Sequence, residues 1–175
     1  RIQGDIQLVG DLTIAAGASM HIGSNSNLLA ADGVMIANHG SLIIDGGVER
    51  SISLSKLGQQ WTGIATFRDG NLSCDGAVID GAETGILIRG AANVSNSKIF
   101  NCSQGVCVET QADFTVVNSI IHDNTYGVIS SNNYSTSQSG YIECNEIYEN
   151  GIGILMYNSN TNLANNDIHT NRRAG

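Results

Sequence analysis

Two carboxylates, Asp123 and Glu149, stand two residues after an isoleucine (Ile121 and Ile147) in successive copies of one sequence repeat. Carboxylates brought side by side can share general acid and base work at a glycosidic bond, or hold a hard cation such as calcium. Asp80 follows the equivalent Ile79 directly and stands alone. No Lys or Arg shares the carboxylate position, and Arg89 and Lys98 fall elsewhere in the repeat. The pair therefore reads as readily as a solvated acidic face. Asp123 and Glu149 are the candidate catalytic residues, with the balance leaning away from an enzyme.

Other chemistries find less. His122 and His169 occupy one repeat position two copies apart, about 9.6 Å at the spacing of stacked strands, too far to ligate one metal together, and both are expected at the surface. No Ser-His-Asp order, phosphate-cradling glycine loop or zinc-ligand spacing occurs, and Gly151-Ile-Gly153 belongs to a corner. No metal and no cofactor is expected. A net charge of −8 with eight Lys and Arg argues against nucleic acid as a partner. No run approaches the roughly 18 consecutive apolar residues of a membrane helix, so no membrane insertion is expected.

The elements that carry these side chains follow from the repeat. Of 175 residues, 21 are Gly, 19 Asn and 28 Ser or Thr, with no Pro, 14% charged and 41% hydrophobic. Short Ile/Val/Leu runs between turn residues make strands rather than helices or a disordered chain. From residue 74 the unit is Cys74/Gly76/Ile79/Gly85, Val94/Asn96/Ile99/Gly105, Val116/Asn118/Ile121/Gly127, Ile142/Cys144/Ile147/Gly153 and Leu163/Asn165/Ile168. Like residues return only after a full repeat, so coils stack like on like instead of folding into hairpins. The chain is expected to be one all-β solenoid domain over 1–175, with about eight coils of ~22 residues. Coils are irregular over 1–60 and regular over 61–175, and 132–140 forms an exposed loop insertion. Two asparagine columns, Asn96/Asn118/Asn165 and Asn124/Asn150/Asn171, predict ladders of stacked amides at the corners.

At these residues the chain resembles the right-handed parallel β-helix superfamily of pectate lyases, phage tailspikes and secreted or surface repeat proteins. Its Gly-Ile-x-Ile strands, Asn corners and Trp61-Thr-Gly-Ile64 segment carry the likeness along nearly the whole length. The resemblance implies a right-handed parallel β-helix and a secreted or cell-surface location. Because one fold serves lyases, hydrolases, adhesins and structural subunits, it leaves function open. An enzyme of this kind would be a polysaccharide lyase or glycoside hydrolase, with carboxylates and an Arg or Lys at its site.

Cys74 and Cys144 are expected as buried thiols in inward columns, too far apart to bridge. Cys107 is expected to face outward, so that a local Cys102–Cys107 disulfide or an intermolecular bridge is open to it. The same outward position reads Ala65, Leu87, Cys107, Ile129 and Leu155, an apolar stripe that another surface should cover. Of four Asn-x-Ser sequons, at Asn71, Asn93, Asn101 and Asn133, that at Asn133 in the loop is the reasonable glycosylation acceptor. Neither end supplies a capping helix or loop, which reads as a cut from a longer solenoid or as coil meeting coil between molecules.

The expected function is accordingly an extracellular structural solenoid that associates with itself into a filament, sheath or surface array. The alternative is a carbohydrate-binding or polysaccharide-cleaving module whose outer groove, near Asp123, Glu149, Tyr126, Tyr148 and Tyr157, takes a surface polysaccharide.

Overall fold

The computed structural model describes residues 1–49, 51–109, 112–131 and 140–173. Each coil turns through three strands, for example Asn71–Asp75, Ala77–Asp80 and Ala82–Ile88, which fall on three separate faces. Strands of successive coils pair in parallel throughout the described residues, giving a 14-stranded and a 7-stranded sheet. The larger sheet covers two faces because the 12-residue strand Ser19–Ala30 turns a corner, pairing with Ser41–Asp45 through its first half and with Ile52–Lys56 through its second. This is a right-handed parallel β-helix, without helical segments among the described residues.

Three apolar columns fill the interior. On the first face Ile44, Cys74, Val94, Val116 and Ile142 are in register. On the second face Leu54, Ile79, Ile99, Ile121 and Ile147 align, and on the third Ile64, Ile86, Val106, Val128 and Ile154. All are buried. β-Branched side chains dominate because their restricted χ1 costs little on a pleated strand and their methyl groups fill the space between coils. In the last described coil Leu163 and Ile168 are exposed.

The seven strands of the third face give about seven turns, fewer than the eight expected. The early coils are longer: Ile44 pairs with Cys74 thirty residues on, whereas Cys74 pairs with Val94 only twenty on. Gly140, expected in the loop insertion, opens the strand Gly140–Glu143 and is buried. Residues 132–139 lie outside the described residues, and Asn133 with them.

Two corners have one design. Between the first and second faces Gly76, Asn96, Asn118, Cys144 and Asn165 have φ of 65°, 49°, 52°, 56° and 54°. Between the second and third, Gly81, Asn101, Asp123, Glu149 and Thr170 have φ of 69°, 54°, 54°, 54° and 56°. A left-handed residue turns the chain sharply, and the next residue then points inward. Asn and Gly suit that backbone; Cys, Glu and Thr occupy it at a cost.

Candidate functional site

The corner between the second and third faces carries the site. Its inward residues form a polar spine: the backbone N–H of Cys102 donates to Asn124 Oδ1 (2.9 Å), that of Asn124 to Asn150 Oδ1 (3.0 Å) and that of Asn150 to Asn171 Oδ1 (2.9 Å). The side-chain amides of Asn124 and Asn150 also donate along the column, each at 3.0 Å. The first corner has its own spine. There Ser97 and Ser119 give way to Asn145 and Asn166, with Ser119 N–H donating to Asn145 Oδ1 at 2.9 Å and Asn145 Nδ2 to Asn166 Oδ1 at 3.0 Å. Asn96, Asn118 and Asn165 supply left-handed backbone at that corner, one residue ahead of the spine. Asn96 Nδ2 donates sideways to Asp75 Oδ1 at 2.7 Å.

Outside the spine, Asp123 and Glu149 project from adjacent left-handed corner positions into one open groove of about 680 Å³. Lys56 and Gln60 border it at the N-terminal end and Arg172 at the C-terminal end, with Ser103 and Thr125 along its floor. Gln60 is set by Asp32, whose Oδ1 accepts the backbone N–H groups of Gln59 (2.6 Å) and Gln60 (3.1 Å). The Gln60 amide then donates to Ala82 O and Ser103 Oγ. The Lys56 stem crosses Gly81, where an added Cβ would lie 2.6 Å from Lys56 Cδ. The basic residues missing from the carboxylate column thus come from neighbouring segments. From the Lys56 coil to that of Arg172 is five coil steps, about 24 Å at ~4.8 Å each.

Beside the groove, Phe100, His122, Tyr148 and His169 stack ring on ring, with centroids 5.2, 4.9 and 5.3 Å apart and planes within 4° of parallel. Lys98 Nζ lies 5.0 Å from the Phe100 centroid. His122 is 8% exposed, not the surface residue expected, because rings above and below cover both its faces. Its Nδ1 lies 2.6 Å from Asp123 Oδ2, which orients that carboxylate. Its Nε2 is buried without a hydrogen-bond partner. His169 is exposed as expected, with Nε2 3.6 Å from Glu146 Oε1. Tyr148 has its phenol held above its ordinary value by loss of solvent and then by the carboxylates of Glu146, Glu149 and Asp123. The other two tyrosines expected near the groove lie apart from the stack: Tyr126 borders a smaller recess with Arg172 and Arg173, and Tyr157 is exposed at the end of the third face. The signal for the stack in the sequence is planarity alone, in the residues that follow Ile99, Ile121, Ile147 and Ile168.

All four cysteines are free, including Cys102 and Cys107. Cys107 lies in the outward column, yet it is buried at 4% exposure because Leu87 and Ile129 flank it on adjacent strands. Ala65, the smallest member of that column, is buried as well; Leu87 and Ile129 are half-buried and Leu155 is 39% exposed. Burial pushes the thiol of Cys74 up to about 12 and those of Cys102 and Cys107 to about 11. Cys144 is exposed, not buried as expected, because it occupies a left-handed corner position two residues after the inward Ile142.

Stacked parallel coils, amide spines at two corners and a polar groove outside one of them define a repeat protein of the parallel β-helix class. Within it, the family model described as periplasmic copper-binding protein (NosD) matches residues 13–175, and the chain belongs to that family. The family is periplasmic by description, in general agreement with a location beyond the cytoplasm. No curated protein and no solved structure matches the chain. No group of three or more His, Cys, Asp or Glu side chains converges as a metal site among the described residues. The donors present do not fit the copper of the family description.

Proposed function

We propose that this chain is an extracytoplasmic β-solenoid, secreted or held at the cell surface, that binds an extended polysaccharide strand along the corner groove. The observation that carries this reading is the groove itself, with two carboxylates at its centre, a cation at each end and hydroxyl and amide groups between them. Such a lining suits a polyhydroxylated chain that hydrogen-bonds at many points. Its acidic centre disfavours uronate residues there and favours neutral or amino sugars. The neighbouring rings contribute edges, since stacking occupies their faces, so hydrogen bonding rather than sugar-on-ring stacking supplies the affinity. Affinity electrophoresis against neutral glucans, hexosamine polymers and polyuronates tests it. Retardation by either of the first two classes, lost in Asp123→Asn/Glu149→Gln, is the expected result. Absence of retardation by every polymer, or retardation unchanged in the variant, overturns the reading.

A second reading, self-association into a larger assembly, is supported by the apolar outward column of the third face, where Leu87 and Ile129 are half-buried and Leu155 is exposed. Sedimentation velocity should then show concentration-dependent association that Ile129→Glu abolishes. A monodisperse monomer at high concentration removes this reading.

A further inference from the structure

The family description names copper, and the side chains that could meet it have other occupations here. Copper(I) takes converging thiolate, thioether or imidazole donors, and copper(II) takes imidazole and carboxylate in a near-planar set. Every His, Cys, Met, Asp and Glu of the chain falls within the described residues, since the remaining positions are Arg, Thr, Gln, Asn, Tyr, Ser, Ala and Gly. The arrangement of all the soft and nitrogen donors in these 175 residues is therefore in view.

We infer that these 175 residues do not hold copper, and that their imidazoles serve as planar rungs between coils or as partners of single carboxylates. His122 and His169 are separated by the ring of Tyr148 at 4.9 and 5.3 Å, so the two imidazoles lie about two coil spacings apart. A metal bonded at about 2 Å from each nitrogen cannot span that gap. His39 lies face to face on Phe67 at 4.3 Å, and Phe67 carries Arg89 on its far side at 5.9 Å. His21 approaches Asp45 at 3.8 Å, His122 meets Asp123, and His169 approaches Glu146. Each is one imidazole beside one carboxylate, without the third donor of a metal group.

The sulfur donors are no better placed. Cys74, Cys102 and Cys107 are buried, which favours the thiol over the copper-binding thiolate, and Cys102 Sγ is engaged by Phe100 O at 3.2 Å. Cys144 is exposed at a corner. Met20, Met35 and Met156 sit on three different strands, Ser19–Ala30, Met35–Asn38 and Ile152–Tyr157. The family shares a coil framework that carries copper chemistry in its description; in this chain the framework persists with the imidazoles turned to stacking.

Equilibrium dialysis of the whole chain against copper(II), and against copper(I) buffered by a chelator, followed by metal analysis, tests the inference. The expected result is substoichiometric copper with either ion. In parallel, the double variant His122→Phe/His169→Phe, which keeps planar rungs but removes the nitrogens, should retain the wild-type thermal midpoint. One equivalent or more of copper retained in either oxidation state overturns the inference. So does a midpoint that copper raises in the wild type but not in the double variant. If the double variant fails to fold, His122→Tyr and His169→Tyr taken singly replace it, and loss of folding in both overturns the assignment of the imidazoles to stacking. Neither outcome bears on the proposed glycan binding, which is tested separately through Asp123 and Glu149.

Discussion

Asn150 Oδ1 accepts two hydrogen bonds from Asn124, one from its side-chain amide and one from its backbone N–H, both at 3.0 Å. The two hydrogens of Asn150 Nδ2 are in turn shared among three acceptors, Ile121 O (3.0 Å), Tyr148 O (2.9 Å) and Asn171 Oδ1 (3.0 Å). One buried amide thereby satisfies the polar groups of three successive coils. The Asn150→Ala change leaves the backbone N–H of Asn124 without its acceptor and removes the side-chain donors to Ile121 O and Asn171 Oδ1 in a site closed to water, while Asn124 Nδ2 keeps Ile99 O and His122 O. With about 1–3 kcal/mol for each buried group left unpaired, an overall loss of about 2–4 kcal/mol is expected. Urea unfolding followed by circular dichroism measures it. Asn150→Asp keeps the acceptor but loses the donors and adds a buried charge, so it should be no more stable than the Ala variant at neutral pH. An Asp variant with wild-type stability would show that the donors contribute nothing.

The ring stack predicts a coupling rather than a simple loss. His122 touches rings on both sides, Phe100 and Tyr148, whereas His169 touches Tyr148 alone. Replacing His122 by Leu therefore interrupts two contacts and replacing His169 interrupts one. A double-mutant cycle between His122→Leu and Tyr148→Leu should return about 0.5–1.5 kcal/mol of coupling, the range for stacked rings. Additive effects of the two changes would mean that the parallel rings are neighbours without mutual stabilisation.

What the sequence discloses depends on whether a column repeats a residue type or only a shape. Ile79, Ile99, Ile121 and Ile147 declare their column by identity, and with it the coiling of the second half and the parallel solenoid. The spine of the first corner begins at Ala77, Ser97 and Ser119 before reaching Asn145 and Asn166, so its role is constant while its residues change. Phe100, His122 and Tyr148 belong to three chemical classes and share only planarity, which periodicity of residue type does not register. Lys56 ends the strand Ile52–Lys56 and Gln60 lies in the connection that follows, both ahead of the part of the chain where residue types recur, so the periodicity does not register the cation that borders Asp123 from that side. Cys144 shows the converse failure. Its apolar character and its place in the repeat point it inward, whereas the backbone there has φ of 56° and turns it out.

The four thiols should separate by accessibility and ionisation. Cys74, Cys102 and Cys107 are buried, with ionisation pushed from about 9.0 to about 12, 11 and 11, so almost none of each is thiolate at pH 8. Iodoacetamide at that pH should label Cys144 alone, and denaturant should release the other three, as read by peptide mass spectrometry. The sign of the linked stability follows. A thiol whose folded value is raised holds its proton more tightly when folded, so its contribution is intact below pH 9 and is lost as pH rises through about 11 to 12. Alkaline unfolding should therefore begin above pH 9, and changing Cys74 to Ala or Val should shift that onset upward while lowering or preserving stability at neutral pH. Rapid labelling of Cys107 in the native chain would contradict its burial beneath Leu87 and Ile129.

Glu149 places function and stability in opposition. Its φ of 54° is a left-handed backbone that a long side chain enters at about 1–2 kcal/mol, whereas Asn101 occupies the equivalent corner two coils away with a φ of 54° that suits it. Glu149 is exposed, so its carboxylate repays little of that cost within the fold. Glu149→Asn should consequently raise stability by up to about 1 kcal/mol, because the amide side chain tolerates the same backbone. The same change removes one of the two central carboxylates from the groove and should weaken retention on the polysaccharide. Urea unfolding and affinity electrophoresis on one preparation read both effects. A variant that is more stable and binds less well identifies Glu149 as a residue kept at the corner for the ligand. A variant that is more stable and binds equally well leaves the carboxylate without a function, and one that is less stable shows that Glu149 holds the corner itself.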